Sequence, residues 1–207
     1  MKHVDLLITR YPCLAEARRD IEAAIQAILT MHRAGGKLLL CGNGGSAADS
    51  SHISGELLKG FLLKREPKGA ERARLEAIPA LAPYAADLQQ GICAIALPDQ
   101  SAVLSAFAND VKAEAMYAQL VYAMGRTEDV FLGLSTSGNS QNVVLAAACA
   151  KALGLVSIGM TGQAGGKLRE LCDILIRVPE TETYKVQELH LPVYHTICAQ
   201  VEEELFG

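Results

Sequence analysis

Five short apolar and β-branched runs recur along the chain, each ending in glycine, proline or hydroxyl residues: Lys37–Leu40, Ile92–Leu97, Val130–Leu134, Leu155–Met160 and Ile174–Val178. Between most of them lie segments with helical spacing, notably Gln141–Leu153 and Gly165–Leu171. That alternation predicts an α/β domain with a parallel sheet wound by helices. Before the first strand, the segment from about 12 to 34 reads as a long amphipathic helix. Ile21, Ile25 and Ile28 form one stripe and Gly35-Gly36 is its stop. After the last strand, Gln187–Leu205 reads as another helix. Such terminal helices either build an oligomer or cap the core. Residues 62–91 differ: charges of both signs are dense and Pro67, Pro79 and Pro83 punctuate them, as in an inserted excursion with a short helix between proline breaks.

The chain has 207 residues, long enough for one domain over 1–207 with a substantial core and cramped for two. Hydrophobic residues are 50% and charged residues 20%, with a net charge of -4. That balance excludes a disordered chain and a basic nucleic-acid-binding surface. An anionic substrate therefore needs local cations or backbone N–H groups. The first segment is too short and too polar for a signal peptide, and no apolar run reaches the length of a membrane span. The expectation is a cytoplasmic protein with no membrane partner. Six cysteines are scattered singly, against a zinc knuckle or a disulfide framework.

In a parallel sheet, ligands bind beyond the carboxyl ends of the strands, so the residues that follow strands carry the chemical interest. Cys41-Gly-Asn-Gly-Gly-Ser-Ala-Ala-Asp49 leaves the first strand, and its Gly42-x-Gly44-x-x-Ala47 fits a dinucleotide-binding pattern. That reading also requires an acidic residue ending the second strand about 20 residues later, and none is there. Leu134-Ser-Thr-Ser-Gly-Asn-Ser140 follows the third strand and precedes a helix. Ser135, Thr136, Ser137 and Ser140 supply four hydroxyls, and the helix adds free N–H groups, which suits a phosphate monoester without lysine or arginine. The alternative is an N-cap within a serine-rich turn, which uses one or two hydroxyls.

His52 and Glu56 stand four apart on one helix face, where they can bind a divalent metal or set a carboxylate base beside an imidazole. An exposed ion pair is the competing reading. Gln187 and His195 lie eight apart, roughly 80° around a helix, so both can approach one site. Pro192 between them predicts a bend. His190 is a third candidate that could equally be a packed, hydrogen-bonded core histidine.

Taken together, these pieces resemble the sugar isomerase (SIS) domain, and within it the phosphoheptose isomerase family. The resemblance rests on Cys-Gly-Asn-Gly-Gly-Ser46, His52-x-x-x-Glu56, Phe107-Ala-Asn-Asp110, Gly133-Leu-Ser-Thr-Ser-Gly-Asn-Ser140, Met160-Thr-Gly-Gln-Ala-Gly-Gly-Lys167 and Gln187-Glu-x-His with His195. It implies a flavodoxin-like SIS fold with a five-stranded parallel sheet, a homotetramer with active sites between subunits, and a zinc ion. By the same resemblance, Asn43, Gly44 and Gly45 touch substrate, Asn109 and Asp110 meet its hydroxyls, and Ser135, Thr136, Ser137 and Ser140 hold its phosphate. His52, Glu56, Gln187 and His195 would associate with zinc, and Glu56 and His195 would form the acid/base pair. The implied reaction converts sedoheptulose 7-phosphate to D-glycero-D-manno-heptose 7-phosphate through an enediol. Three positions depart from the family pattern: Gly60 stands at its arginine with Lys59 beside it, residues 62–91 are longer, and Lys185 replaces another arginine. They leave open an isomerase of a different sugar phosphate. A non-catalytic SIS module that binds a sugar phosphate or a protein partner is the reading from another class.

Overall fold

The computed structural model describes residues 1–207. Five strands form it: β1 Leu38–Cys41, β2 Ala94–Ala96, β3 Val130–Leu134, β4 Val156–Thr161 and β5 Ile174–Arg177. Nine α-helices surround them: α1 Lys2–Arg10, α2 Arg18–Arg33, α3 Gly45–Leu58, α4 Gly69–Glu76, α5 Ser101–Phe107, α6 Met116–Met124, α7 Gln141–Ala152, α8 Leu168–Leu171 and α9 Thr183–Phe206. No helix is long and apolar enough to cross a membrane.

All four strand pairings are parallel, and the sheet order is β2-β1-β3-β4-β5, the flavodoxin-like order. β1 and β3 are buried at every position, so side chains of alternate residues enter two separate cores. Leu38, Leu40, Val130, Leu132 and Leu134 pack with α1, α2 and α9; Leu39, Cys41 and Phe131 pack with α6 and α7. The order in which successive strands are added across the sheet reverses at the boundary between β1 and β3. A crevice forms there because the connections leave those two strands toward opposite faces.

The terminal helices differ from the expectation in one respect. A single helix over 12–34 is not what forms: α1 occupies residues 2–10, a 3₁₀ segment spans Pro12–Ala17, and α2 begins at Arg18. Pro12 sets the break, since it lacks an N–H and disfavours helix at the residue before it. α2 does carry Ile21, Ile25 and Ile28, all fully buried, and ends at the glycines. Gly35 takes φ +77°, its N–H donates to the His32 carbonyl, and the Gly36 N–H donates to the Met31 carbonyl. Those two bonds satisfy carbonyls that the helix end would leave orphaned. α9 starts four residues earlier than expected and runs uninterrupted through Pro192. Within 62–91 the only α-helix is α4, none of whose residues is buried. The six cysteines are free, and Cys41 and Cys198 are buried.

Candidate active site

The glycine turn is shaped by close approach. A side chain at Gly42 would meet the Ser46 carbonyl at 2.5 Å, and Gly44 takes φ +54°. The Tyr117 hydroxyl donates to the Gly42 carbonyl at 2.7 Å, anchoring the turn from α6. A side chain at Gly45 would come within 2.6 Å of Gln187 Nε2, so Gln187 lies directly against the backbone where α3 begins. Asn43, Gly44 and Gly45 are exposed. The Asn43 amide forms a reciprocal pair with Asn142, at 2.9 and 2.8 Å. Asn142 stands in the first turn of α7, and the sequence offered no signal for it. The pair joins the turn after β1 to the loop after β3.

In the serine loop, Ser135 is buried and its hydroxyl donates to Ser140 Oγ at 3.0 Å. Ser137 Oγ accepts the Asn139 N–H at 3.1 Å, and the Thr136 carbonyl accepts the Gly162 N–H. Ser140 is the N-cap of α7, yet its side chain makes no capping hydrogen bond. The hydroxyls are thus not spent on closing the helix, and they line a loop at the positive end of α7. Gly138 takes φ +67°, and a Cβ there would stand 2.0 Å from the Gly165 carbonyl. Gly138→Ala should therefore push the loop out of shape. The expected outcome is a KM for a sugar phosphate raised about tenfold, the equivalent of one phosphate-loop contact worth ~1.4 kcal/mol, read by steady-state kinetics.

α3 and α9 bring together the remaining groups. His52 Nε2 stands 3.3 Å from Glu56 Oε1, and Lys59 Nζ lies 3.2 Å from Glu56 Oε2. Glu56 is largely covered, with 15% of its side chain exposed, while His52 is at 43%. Tyr194, buried in α9, donates its hydroxyl to Asp49 Oδ1 at 3.2 Å, and His52 Nδ1 lies 3.0 Å from the same hydroxyl. Burial first, and then the Asp49 charge, push the Tyr194 phenol far above its ordinary range, so it stays protonated. With that proton on Asp49, the hydrogen-bond pattern assigns a proton to His52 Nδ1. The Nε2 lone pair then faces a carboxylate oxygen, an arrangement completed by a proton or a cation between them.

His195 packs its ring edge-on against His52 at 5.0 Å between centroids, with Tyr194 at 4.9 Å and Phe61 at 5.5 Å. Its Nε2 is buried and has no hydrogen-bond partner. Burial, then the neighbouring His52, lower its pKa, with Glu56 opposing, so the imidazole is neutral at neutral pH. His195 also opens on a cleft of about 390 Å³ between α9 and α1, lined by Phe61, Pro192, Leu7 and Tyr11 among others. The donor types at His52, Glu56, Gln187 and His195 suit a divalent ion, and the orphaned His195 nitrogen is one that such an ion would satisfy. No three histidine, cysteine, aspartate or glutamate side chains are yet converged on one point, however.

Two expectations land elsewhere. Asn109 and Asp110 sit on an exposed π-helical turn, Ala108–Lys112, where Asn109 Nδ2 donates to Asp110 Oδ1 at 2.8 Å. Asp110 lines an open groove with Val103, Phe107 and Val111, and no hydrogen bond or ring contact joins this pair to His52, Glu56 or His195. His190 is fully buried and neither ring nitrogen makes a hydrogen bond of good geometry, the Thr161 carbonyl being the backbone group that weakly favours its charged form. At Gly60, a Cβ would stand 2.2 Å from the Leu63 carbonyl, so this backbone excludes any side chain there.

A family profile described as SIS domain matches residues 12–77 and 89–162, the gap falling inside the 62–91 segment. Phosphoheptose isomerase 2 of Campylobacter jejuni is 41% identical over 187 residues, 90% of this chain and 81% of the relative. Phosphoheptose isomerase of Burkholderia pseudomallei is 39% identical over 194 residues, 94% of this chain and 84% of the relative. Among solved structures, phosphoheptose isomerase from Neisseria gonorrhoeae superposes with a TM-score of 0.70 at 29% identity, over 96% of this chain and 91% of that one.

Proposed function

This chain belongs to the SIS domain family, and from that premise we propose that it is an aldose-ketose isomerase that converts sedoheptulose 7-phosphate to D-glycero-D-manno-heptose 7-phosphate. The observation that carries the reading is a chain of contacts linking three features, in which the Asn43–Asn142 pair ties the glycine turn to the serine loop and Gln187 against Gly45 ties that turn to α9 and His195. The three are a serine loop whose N-cap hydroxyl is not spent on closing α7, a glycine turn with open backbone, and a covered carboxylate beside a neutral histidine with a free nitrogen.

The division of labour follows from residue type. Ser135, Thr136, Ser137 and Ser140, with the N-terminal end of α7, hold the phosphate, which fixes the far end of the sugar and positions C1 and C2. Asn43, Gly44 and Gly45 let the sugar chain lie against the backbone. Glu56 takes the C1 proton of the ketose, and that C–H electron pair becomes the C1=C2 bond of the enediol. The C2 oxygen receives a proton through His195 Nε2 as its carbonyl bond opens. In the second half, Glu56 returns its proton to C2, and the C1 hydroxyl gives its proton to His195 as the aldehyde forms. His52 and Lys59, on either side of Glu56, keep the carboxyl oriented between them. Zinc, where held by His52, Glu56, Gln187 and His195, would polarise the carbonyl and stabilise the enediolate in place of the proton that His195 Nε2 otherwise carries.

A cytoplasmic homotetramer completes the reading. The exposed Asn109-Asp110 turn supports it, since residues that would meet substrate hydroxyls lie on an open surface where a second subunit can present them. Gly60, closed to any side chain, favours one variation, a sugar phosphate whose hydroxyl pattern differs from that of a heptulose. A panel of pentose, hexose and heptose phosphates assayed with zinc decides between them. Turnover confined to sedoheptulose 7-phosphate supports the proposal; a faster pentose or hexose substrate replaces it, and no turnover of any favours a binding module. Metal analysis of freshly purified protein should find zinc, and His52→Ala should lose it.

A further inference from the structure

Beneath the candidate site lies an ion pair sealed from solvent, with the Arg65 side chain 0% and the Glu202 side chain 1% exposed. Two charges removed from water are costly unless every donor and acceptor is used. Here they are used on the backbone around the two acid/base groups. The C-terminal end of α3 has no capping N–H of its own, so the carbonyls of its last turn need partners from outside. Arg65 Nη1 donates to the Leu57 carbonyl at 2.7 Å and Nη2 to the Glu56 carbonyl at 3.2 Å, while Nε donates to Glu202 Oε1 at 2.7 Å. The guanidinium therefore grips the main chain of Glu56 itself. Glu202 in turn accepts the N–H groups of Phe61, Leu62 and Leu63 at 2.7, 2.6 and 3.1 Å. Phe61 is the residue whose ring lies tilted on His195. Glu202 also follows His195 by seven residues on α9, two turns on and only about 20° around the helix. Burial opposes ionisation of Glu202, but the N–H groups of Phe61 and Leu62 and the Arg65 guanidinium outweigh it and hold the carboxyl below its usual range. The Arg65 guanidinium also lies over the Phe206 ring at 4.9 Å, which fixes its plane.

We propose that the Arg65–Glu202 pair is a positioning device for the isomerase reaction. One end fixes the backbone of Glu56 and the other, through Phe61, fixes the ring of His195, so that the distance between base and acid is set by a single rigid brace. A pair that served only to join the 61–65 loop to α9 would not need the contact to the Glu56 carbonyl. The inference rests on Glu56 and His195 being the acid/base pair, and its test separates the two questions.

Arg65→Lys keeps the charge and can still bond Glu202, but an ammonium cannot span both α3 carbonyls in a planar fork. The expected result is a folded protein whose kcat on sedoheptulose 7-phosphate falls about 10- to 100-fold, with KM changed less than about twofold because the serine loop is untouched. Should Arg65→Lys fail to fold, R65M/E202M leaves no buried charge and gives the same comparison. Ring resonances of His195 and its contact with Phe61, followed by NMR, read the brace without turnover and should shift in either variant. Wild-type kcat with unchanged His195 resonances in a folded variant overturns the proposal. An inactive wild type overturns the assigned reaction instead, and the resonances still decide whether the brace sets His195.

Discussion

Glu56→Gln should abolish isomerisation while leaving the fold intact. The amide is nearly the same size and keeps an oxygen for Lys59, so the packing of α3 against α9 is retained. What is lost is the only carboxylate in contact with His52, 3.3 Å away, and with it the group that can hold the migrating proton. General-base catalysis by a placed carboxylate contributes on the order of 10²- to 10⁴-fold. A kcat about 1,000-fold below wild type is therefore expected, with thermal stability unchanged. In D₂O the wild type should place deuterium at C2 of the product to the extent that the proton held on Glu56 exchanges with solvent before its return, and the variant should place none. A Glu56→Gln enzyme that keeps a tenth of wild-type activity would remove Glu56 from the mechanism.

The second large effect is on stability in acid, and it comes from His190. Burial pushes its pKa down from the ordinary value of 6.5 to about 4, against a smaller opposing effect of the Thr161 carbonyl. The unfolded chain takes up a proton near pH 6.5, while the folded chain resists until about pH 4. Between those values the unfolded state binds more protons, so stability falls as pH falls through that window. At pH 4.5 the gap of roughly two pH units corresponds to about 2.5 kcal/mol, at 1.36 kcal/mol per unit. Urea titrations at pH 7 and pH 4.5 should show that loss for the wild type. His190→Phe fills a similar volume without a titrating group, and should recover most of it relative to its own stability at pH 7. An identical acid loss in both proteins would mean that the His190 ring is hydrated or hydrogen-bonded.

Much of the architecture was legible because burial writes itself into the strands. β1 and β3 are covered on both faces, so their apolar runs carry a signal that no solvent-facing alternation dilutes. The break in the N-terminal helix is illegible for a local reason: the short polar segment before Tyr11-Pro12 has no long apolar stripe, and Val4 and Leu7 are its only buried residues. The serine loop and the His52/Glu56 spacing were legible because each lies within a few residues. Asn142, Tyr194, Asp49, Arg65 and Glu202 were not, since each gains its meaning from a partner more than 90 residues away: Asn43 for Asn142, Asp49 for Tyr194, Arg65 for Glu202.

By itself, then, the sequence determined the element types, the chemistry of the loops after the first and third strands, and the family to which those loops belong. Those are properties of short stretches, fixed by side-chain polarity, backbone freedom at glycine and helical spacing. The tertiary structure decided which of the stretches meet. Two strands apart in the chain, the glycine turn and the serine loop become neighbours only because β1 pairs with β3. The sheet order also leaves Asn109 and Asp110 on an outer surface, away from the residues they were grouped with. Whether Glu56 is an exposed partner of His52 or a covered base beside a neutral imidazole was likewise a matter of packing. α9 lays Tyr194 and His195 against α3, and the removal of water by that contact sets the protonation states on which the chemistry depends.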